Sequence, residues 1–171
     1  MFGDNGDNGL YGAGGNDTLL GFGGNDWLNG AYGNDSLNGG AGQDLIYGGP
    51  GADTLAGGPD ADTFQFVSQY DSAGSDPSGI DYANTDVILD FSPRQGDKID
   101  VQYVDANVLM PGDQAFDFNG VAAFTAPGQV SHFTDGTDTY IVFNTDDVYT
   151  DFEFAIRLAG QHSLEAAFFD L

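Results

Sequence analysis

Between Gly3 and Gln65 the chain repeats itself every nine residues, and that short period constrains the fold more than any other feature of its 171 residues. The successive units read GDNGDNGLY, GAGGNDTLL, GFGGNDWLN, GAYGNDSLN, GGAGQDLIY, GGPGADTLA and GGPDADTFQ. Position 1 is glycine throughout: Gly3, Gly12, Gly21, Gly30, Gly39, Gly48 and Gly57. Position 6 is Asn8 and then Asp17, Asp26, Asp35, Asp44, Asp53 and Asp62. Position 8 is a large apolar residue: Leu10, Leu19, Leu28, Leu37, Ile46, Leu55 and Phe64.

Three physical demands fit this pattern. Glycine at positions 1 and 4 permits the left-handed backbone of a tight turn. One apolar residue between non-core neighbours suits a very short strand with a single side chain pointing inward. One carboxylate per unit, stacked unit over unit, sets like charges close together unless a cation lies between them. Carboxylates and turn carbonyls are hard oxygen ligands, the set that Ca²⁺ prefers. A flexible Gly/Asn/Asp-rich linker is the competing reading, but it does not account for a period kept at positions 1, 6 and 8 together.

The seven units resemble the RTX nonapeptide, G-G-x-G-x-D-x-(large apolar)-x, a Ca²⁺-binding parallel β-roll repeat. The resemblance implies that two nonapeptides make one coil of a flattened right-handed roll, so that units of equal parity stack. The odd row is then Asn8, Asp26, Asp44 and Asp62, and the even row Asp17, Asp35 and Asp53. It further implies a Ca²⁺ between each unit and the next but one. Both position 6 side chains would bind it, with carbonyls at positions 2 and 4 of the first unit and 1 and 3 of the second. The first-unit carbonyls fall on Asp4 and Gly6, Ala13 and Gly15, Phe22 and Gly24, Ala31 and Gly33, and Gly40 and Gly42. Those of the second unit fall on Gly21 and Gly23, Gly30 and Tyr32, Gly39 and Ala41, Gly48 and Pro50, and Gly57 and Pro59. About five Ca²⁺ are expected in the roll, three in the odd row and two in the even. Asn8 supplies no charge, which weakens the first odd site.

The charge balance narrows the partners. Twenty-seven acidic residues face three basic ones, Arg94, Lys98 and Arg157, for a net charge of −24. That argues against nucleic acid, anionic lipid and other polyanions as partners. Self-repulsion of this size also opposes a compact metal-free state. An aromatic share of 13% and a hydrophobic share of 40% are too high for a disordered acidic chain. Without cysteine, no disulfide, thiolate metal site or cysteine nucleophile can form. No apolar run reaches the ~20 residues of a membrane helix, so no stable membrane insertion is expected. Met1-Phe2 runs straight into the repeats with no leader pattern, and the sequence reads as a piece of a longer protein.

At the end of the array Asp60 replaces the position 4 glycine, and Phe64-Gln65-Phe66-Val67 runs on as a longer strand. We therefore divide the chain into a roll over 1–66 and a second unit over 67–171. Residues 68–83 form a polar loop. Strands are predicted near 85–91, 98–104, 115–118, 121–125, 129–134, 138–144 and 152–158, with a short helical turn over 163–169. The expected fold is all-β, a right-handed parallel β-roll followed by a capping antiparallel β-sandwich. On the odd outer face Tyr11, Trp27, Leu45 and Tyr47 make an apolar patch. Two readings stand: the C-terminal half or a preceding domain covers it, or it is a platform for a glycan or protein partner.

The second half carries its own resemblance. Thr85-Asp86-Val87-Ile88-Leu89-Asp90-Phe91, followed by Gly96-Asp97-Lys98-Ile99-Asp100-Val101, resembles the segment after the roll in serralysin-type metalloproteases and mannuronan epimerase repeat modules. In that family carboxylates of this segment complete a further Ca²⁺ site, which nominates Asp90 and Asp97; solvated turn carboxylates are the other reading. The family's last residues act as an uncleaved type I secretion signal, which places such a signal near 155–171. Here the aromatics of Phe168-Phe169-Asp170-Leu171 precede the acid, a departure from the family order.

No catalytic constellation is found. His132 and His162 lie far apart in sequence, and there is no H-E-x-x-H helix, G-x-S-x-G elbow or phosphate loop. The sequence reads as a non-catalytic Ca²⁺-binding module whose folding the metal drives. It is expected at the C-terminus of a secreted, extracellular bacterial protein, with an upstream catalytic or effector domain and the type I secretion machinery as partners. A Ca²⁺-stabilised binding or adhesion module using the Tyr11/Trp27/Tyr47 face is the alternative.

Overall fold

The computed structural model describes residues 1–68, 75–76, 79–80, 84–104, 116–120, 126–144 and 154–171. Each nonapeptide supplies one strand: β1 (Gly9–Tyr11), β2 (Thr18–Gly23), β3 (Trp27–Asn29), β4 (Ser36–Ala41), β5 (Leu45–Tyr47), β6 (Thr54–Ala56) and β7 (Thr63–Gln65). A two-strand ribbon follows, β8 (Ser75–Asp76) with β9 (Gly79–Ile80). The second half holds β10 (Asp86–Ile88), β11 (Lys98–Asp100), β12 (Asp117–Gly120), β13 (Gln129–Thr134), β14 (Thr139–Asn144) and β15 (Phe154–Leu158). A single 3-10 turn over Ala166–Phe168 leads into β16 (Phe169–Asp170).

The odd and even units separate into two sheets, as alternation demands. One sheet runs β1-β3-β5-β7-β11-β16, and the other β12-β13-β14-β15-β10-β6-β4-β2. Unit strands pair in parallel with an offset of eighteen residues, Leu10 with Leu28 and Leu19 with Leu37, so every position stacks on its own kind. The inward position 8 residues thus form two columns. Leu10, Leu28, Ile46, Phe64, Ile99 and Phe169 line one sheet. Leu19, Leu37, Leu55, Ile88 and Leu158 line the other. All eleven are buried and belong to one core cluster. A three-residue strand with one inward side chain is too little to be stable alone; burial against the coils on either side supplies the stabilisation.

The parallel stack does not stop at residue 66. β10 and β11 add a coil to the even and odd sheets, in the register the repeats use. Antiparallel pairing begins beyond them, where β13, β14 and β15 form a meander whose last strand lies parallel to β10. The all-β architecture anticipated from the sequence is present, and its two parts share both sheets and one core. Phe64 against Phe91 ties them together, with ring centroids 6.3 Å apart, while Phe116 against Phe143 and Phe118 against Phe169 pack within the second part at 5.2 and 5.3 Å. The strand expected over 121–125 lies outside the described residues.

The described residues of the C-terminal half leave the odd outer face uncovered. Tyr11 is 53% exposed and Trp27 43%, while Leu45 and Tyr47 are half-buried. Of the two covers expected, the C-terminal half or a preceding domain, the first is not seen among the described residues, where β11 and β16 extend the sheet edgewise instead of folding across it.

Candidate metal centre

The carboxylates of position 6 stand where the strands begin, just inside each turn. From the third unit on, each uses one oxygen in a ladder: the main-chain N–H at position 6 of one unit donates to Oδ1 of the next unit of equal parity. In the odd row Asn8 donates to Asp26, Asp26 to Asp44 and Asp44 to Asp62, at 2.8–2.9 Å. In the even row Asp17 donates to Asp35 and Asp35 to Asp53, both at 2.7 Å. The other oxygen is different. Oδ2 of Asp17, Asp26, Asp35, Asp44 and Asp62 is buried and accepts no hydrogen bond. A buried carboxylate oxygen without a partner is costly, and five in two columns call for a common cause.

The position 1 glycines show what those oxygens face. A Cβ placed on Gly21 would lie 2.1 Å from Asp26 Oδ2 and 2.3 Å from the carbonyl oxygen of Gly39. On Gly30 it would lie 2.3 Å from Asp35 Oδ2 and 2.7 Å from the carbonyl of Gly48. A carboxylate oxygen and a carbonyl oxygen of the next coil therefore converge on the small volume beside each of these glycines, and both are hard donors of the kind Ca²⁺ prefers. Gly21, Gly30, Gly39, Gly48 and Gly57 are buried, and a side chain at any of them would fill this cradle.

This corrects the expected reason for the glycines. Position 1 needs glycine for close approach. The left-handed residues are at positions 2 and 4, and position 2 adopts that backbone even where it is Ala13 (φ 83), Phe22 (φ 76) or Ala31 (φ 70). At position 4, Gly15, Gly24, Gly33, Gly42 and Gly51 are left-handed, and Asp60 takes the same conformation at φ 85.

The nominated carbonyls lie in these turns, which bond coil to coil. Gly15 N–H donates to the Tyr32 carbonyl, Gly33 to Pro50, Gly23 to Asp4 and Gly40 to Gly57. The carbonyls of Gly6, Gly15 and Gly24 each face the position 4 glycine of the next coil, and those of Phe22, Ala31 and Gly40 face its position 2 glycine. Gly23, Ala41 and Pro59 occupy the third position of the same turns. Among the described residues no three or more His, Cys, Asp or Glu side chains gather as a metal cluster. What the structure brings together beside Gly21 and Gly30 is one carboxylate oxygen and one main-chain carbonyl.

Electrostatics agree with an unmet need for positive charge. Burial pushes the carboxyl groups of Asp35 and Asp44 above the ordinary range, and the like charges of Asp17 and Asp26 respectively add to it. Asp62 is pushed up to about 7, by burial first and then by Asp97, Asp44 and Asp90.

Both rows run on beyond the repeats. Asp62 N–H donates to Asp97 Oδ1 at 3.1 Å, which makes Asp97 the next member of the odd row. Its Oδ2 accepts Ser92 N–H at 2.8 Å. Asp90 stays outside the row, where its carboxylate accepts the N–H groups of Gly57 and Gly58 at 3.0 Å each. Sequence reasoning missed Asp86, fully buried, whose Oδ1 accepts Asp53 N–H at 2.7 Å and so extends the even row. The signal was available: Asp86-Val87-Ile88 and Asp97-Lys98-Ile99 both repeat the Asp-x-apolar of positions 6 to 8. A second ladder was also missed, in which Asp7, Asn16, Asn25 and Asn34 at position 5 accept the position 5 N–H of the next coil at 2.7–3.2 Å.

Known proteins carry the same pattern. The family described as RTX calcium-binding nonapeptide repeat (4 copies) matches residues 2–37 and 29–64. No curated protein matches the chain. Among solved structures, it is similar to the solution structure of the AlgE6R3 subunit of the Azotobacter vinelandii mannuronan C5-epimerase. The two are 34% identical over 98% of this chain and 79% of that one, with a TM-score of 0.44. It is also similar to the AlgE6R2 subunit of that enzyme, 29% identical over 97% of this chain and 91% of that one, with a TM-score of 0.46. With seven contiguous nonapeptides and a position 6 carboxylate in each unit but the first, residues 2–64 belong to the RTX calcium-binding nonapeptide-repeat family.

Proposed function

We propose that this chain is a Ca²⁺-triggered folding module from the C-terminal end of a secreted bacterial protein, non-catalytic itself and serving an upstream catalytic or effector domain. The observation that carries it is the set of buried Oδ2 atoms without hydrogen-bond partners, which at Asp17, Asp26 and Asp35 lie beside a main-chain carbonyl of the next coil. Bound Ca²⁺ supplies positive charge and takes oxygen ligands there. The position 6 side chains of successive coils, with the turn carbonyls of positions 1 to 4, are the ligands we assign, about five sites in the roll. Asp97 is the candidate for a further one.

The chain's own residues explain why folding would wait for the metal. Coil spacing of ~4.8 Å puts neighbouring carboxylates close enough for a repulsion of roughly 3 kcal/mol per pair at an effective dielectric of about 20. The leucine columns are buried only when the coils stack, so the apolar gain and the carboxylate repulsion arrive together. A ligand that binds the stacked form and hardly the open chain moves that balance, and its binding free energy becomes folding free energy. At the ~10⁻⁴–10⁻³ M affinities of extracellular Ca²⁺ modules, the chain would stay open in a low-Ca²⁺ cytosol and fold outside. Passage through a type I secretion channel is consistent with such an order. Far-ultraviolet circular dichroism during Ca²⁺ titration of metal-free protein, with Mg²⁺ as control, tests it. A cooperative gain of β signal with Ca²⁺ is expected; a fully folded spectrum in chelator would sink the proposal.

The exposure of Tyr11 and Trp27 favours a second reading, in which the odd face docks a glycan or protein and Ca²⁺ is purely structural. Trp27→Ala would then lose partner binding and still fold with Ca²⁺.

A further inference from the structure

Asn8 is the one position 6 residue of the array that is not an aspartate, and it is followed by glycine. Its side chain is nevertheless placed like the carboxylates. A Cβ on Gly3 would lie 2.2 Å from Asn8 Oδ1 and 2.6 Å from the Gly21 carbonyl, close to the 2.1 and 2.3 Å that Asp26 Oδ2 and the Gly39 carbonyl show at Gly21. Its N–H joins the odd ladder through Asp26 Oδ1. The cradle at the head of the row is thus built, but its position 6 side chain carries no negative charge.

The chemistry that would supply it depends on the amide nitrogen of Gly9. Trp27 N–H donates to the Asn8 carbonyl and Gly12 N–H to the Asn29 carbonyl. Alternate residues of a strand direct their main-chain groups to the same side, so residues 8, 10 and 12 face β3 and Gly9 faces away. β1 is the first strand of its sheet, so Gly9 N–H lies on the open edge, and Gly9 is exposed. The other Asn-Gly pairs with described side chains are held differently. Gly6 N–H donates to Asp4 Oδ1 at 2.8 Å, and Gly30 N–H to the Tyr47 carbonyl at 3.0 Å. Gly39 lies in β4, which is paired on both sides by β2 and β6.

We infer that Asn8 is a spontaneous modification site: it deamidates, and its aspartyl product completes the first metal site of the odd row. Gly9 nitrogen attacks Asn8 Cγ, the bond to the carboxamide nitrogen breaks, and ammonia leaves with the amide proton. Water then opens the cyclic imide to aspartate or isoaspartate; no oxidant or reductant takes part. Glycine leaves the attacking nitrogen unshielded, and a terminal edge strand opens locally more readily than the paired interior. In the asparagine form Asn8 Nδ2 donates to Asp4 Oδ1 at 3.3 Å and Asp4 N–H donates to Asn8 Oδ1 at 2.7 Å. Replacing Nδ2 by oxygen sets two acceptors face to face, an arrangement that is repulsive without a cation between them. Deamidation would therefore tie the first coil to the metal more tightly. The isoaspartyl product adds a methylene to the backbone and breaks the β1 register instead.

The metal half of this inference rests on the proposed Ca²⁺ reading; the chemical half does not. The test holds the chain at neutral pH in Ca²⁺ and in chelator, and follows by peptide mapping the mass increment of amide-to-acid conversion at each Asn-Gly pair. Equilibrium Ca²⁺ binding is measured alongside on Asn8→Asp and Asn8→Gln. In Ca²⁺, conversion is expected at Asn8 well ahead of Asn29 and Asn38, and the weakest site should be about tenfold tighter in Asn8→Asp than in Asn8→Gln. Asn8 staying intact while Asn29 converts would overturn the inference, as would equal Ca²⁺ binding by the two variants. A chain that binds no Ca²⁺ but converts at Asn8 would overturn the functional reading and the metal half, and leave the chemistry standing.

Discussion

Replacing Asp35 by asparagine should change stability in opposite directions with and without metal. Asp35 is 3% exposed and is shared by two neighbouring pairs of the even row, with Asp17 and with Asp53. Asparagine keeps an oxygen to accept Asp17 N–H, so the ladder survives and the change is one of charge. In chelator, each lost carboxylate pair at ~4.8 Å relieves a repulsion of roughly 3 kcal/mol before ionic screening. Discounting for screening and partial protonation, we expect Asp35→Asn to stabilise the metal-free fold by about 1–3 kcal/mol. In about 10 mM Ca²⁺, near 100 times a Kd of ~10⁻⁴ M, each filled site contributes about 2.7 kcal/mol, so damage to two sites costs up to roughly 5 kcal/mol. The assay is thermal unfolding followed by circular dichroism in both buffers. Destabilisation of equal size in both would refute the reasoning, because the effect of the Asp35 charge would then depend neither on the metal nor on carboxylate repulsion.

Three further outcomes are expected. Gly21→Ala should abolish binding at its coil, because the new Cβ would sit in the cradle 2.1 Å from Asp26 Oδ2; isothermal titration calorimetry should show fewer Ca²⁺ bound. Asp62 titrates at about 7 in the fold against an ordinary 3.8, so between those values the folded chain holds more protons than the unfolded one. Stability in chelator should therefore rise as pH falls through this window, while Ca²⁺ affinity falls over the same range; urea unfolding and metal titration at stepped pH read both. Asp60→Gly should stabilise the chain by about 1 kcal/mol in a urea melt, since Asp60 is left-handed at φ 85 and glycine adopts that backbone without strain.

How far the sequence reaches is best seen along the two rows. The stacking of Asp26, Asp44 and Asp62, and of Asp17, Asp35 and Asp53, is legible because every unit repeats the same turn and strand, so an offset of eighteen residues returns each position to its own kind. The same regularity makes the Leu19-Leu37-Leu55 column and the parallel pairing local consequences of the pattern. Asp86 escaped because the chain leaves the period after Gln65: it bonds to Asp53 across 33 residues, and Asp97 to Asp62 across 35, offsets that no repeat announces. The role of the position 1 glycines was equally hidden, since close approach of Asp26 Oδ2 and the Gly39 carbonyl to Gly21 depends on the neighbouring coil, whereas a left-handed turn is a property of the residue itself. The exposure of Trp27 was decided in three dimensions too, by β11 and β16 joining the edge of the sheet instead of its face. The sequence by itself determined the roll, its core columns and most of its carboxylate ladder, because repetition turns local preference into long-range register. Only the tertiary structure decided where the ladder ends and what it leaves bare, because those depend on which non-repeating strands find the open edges.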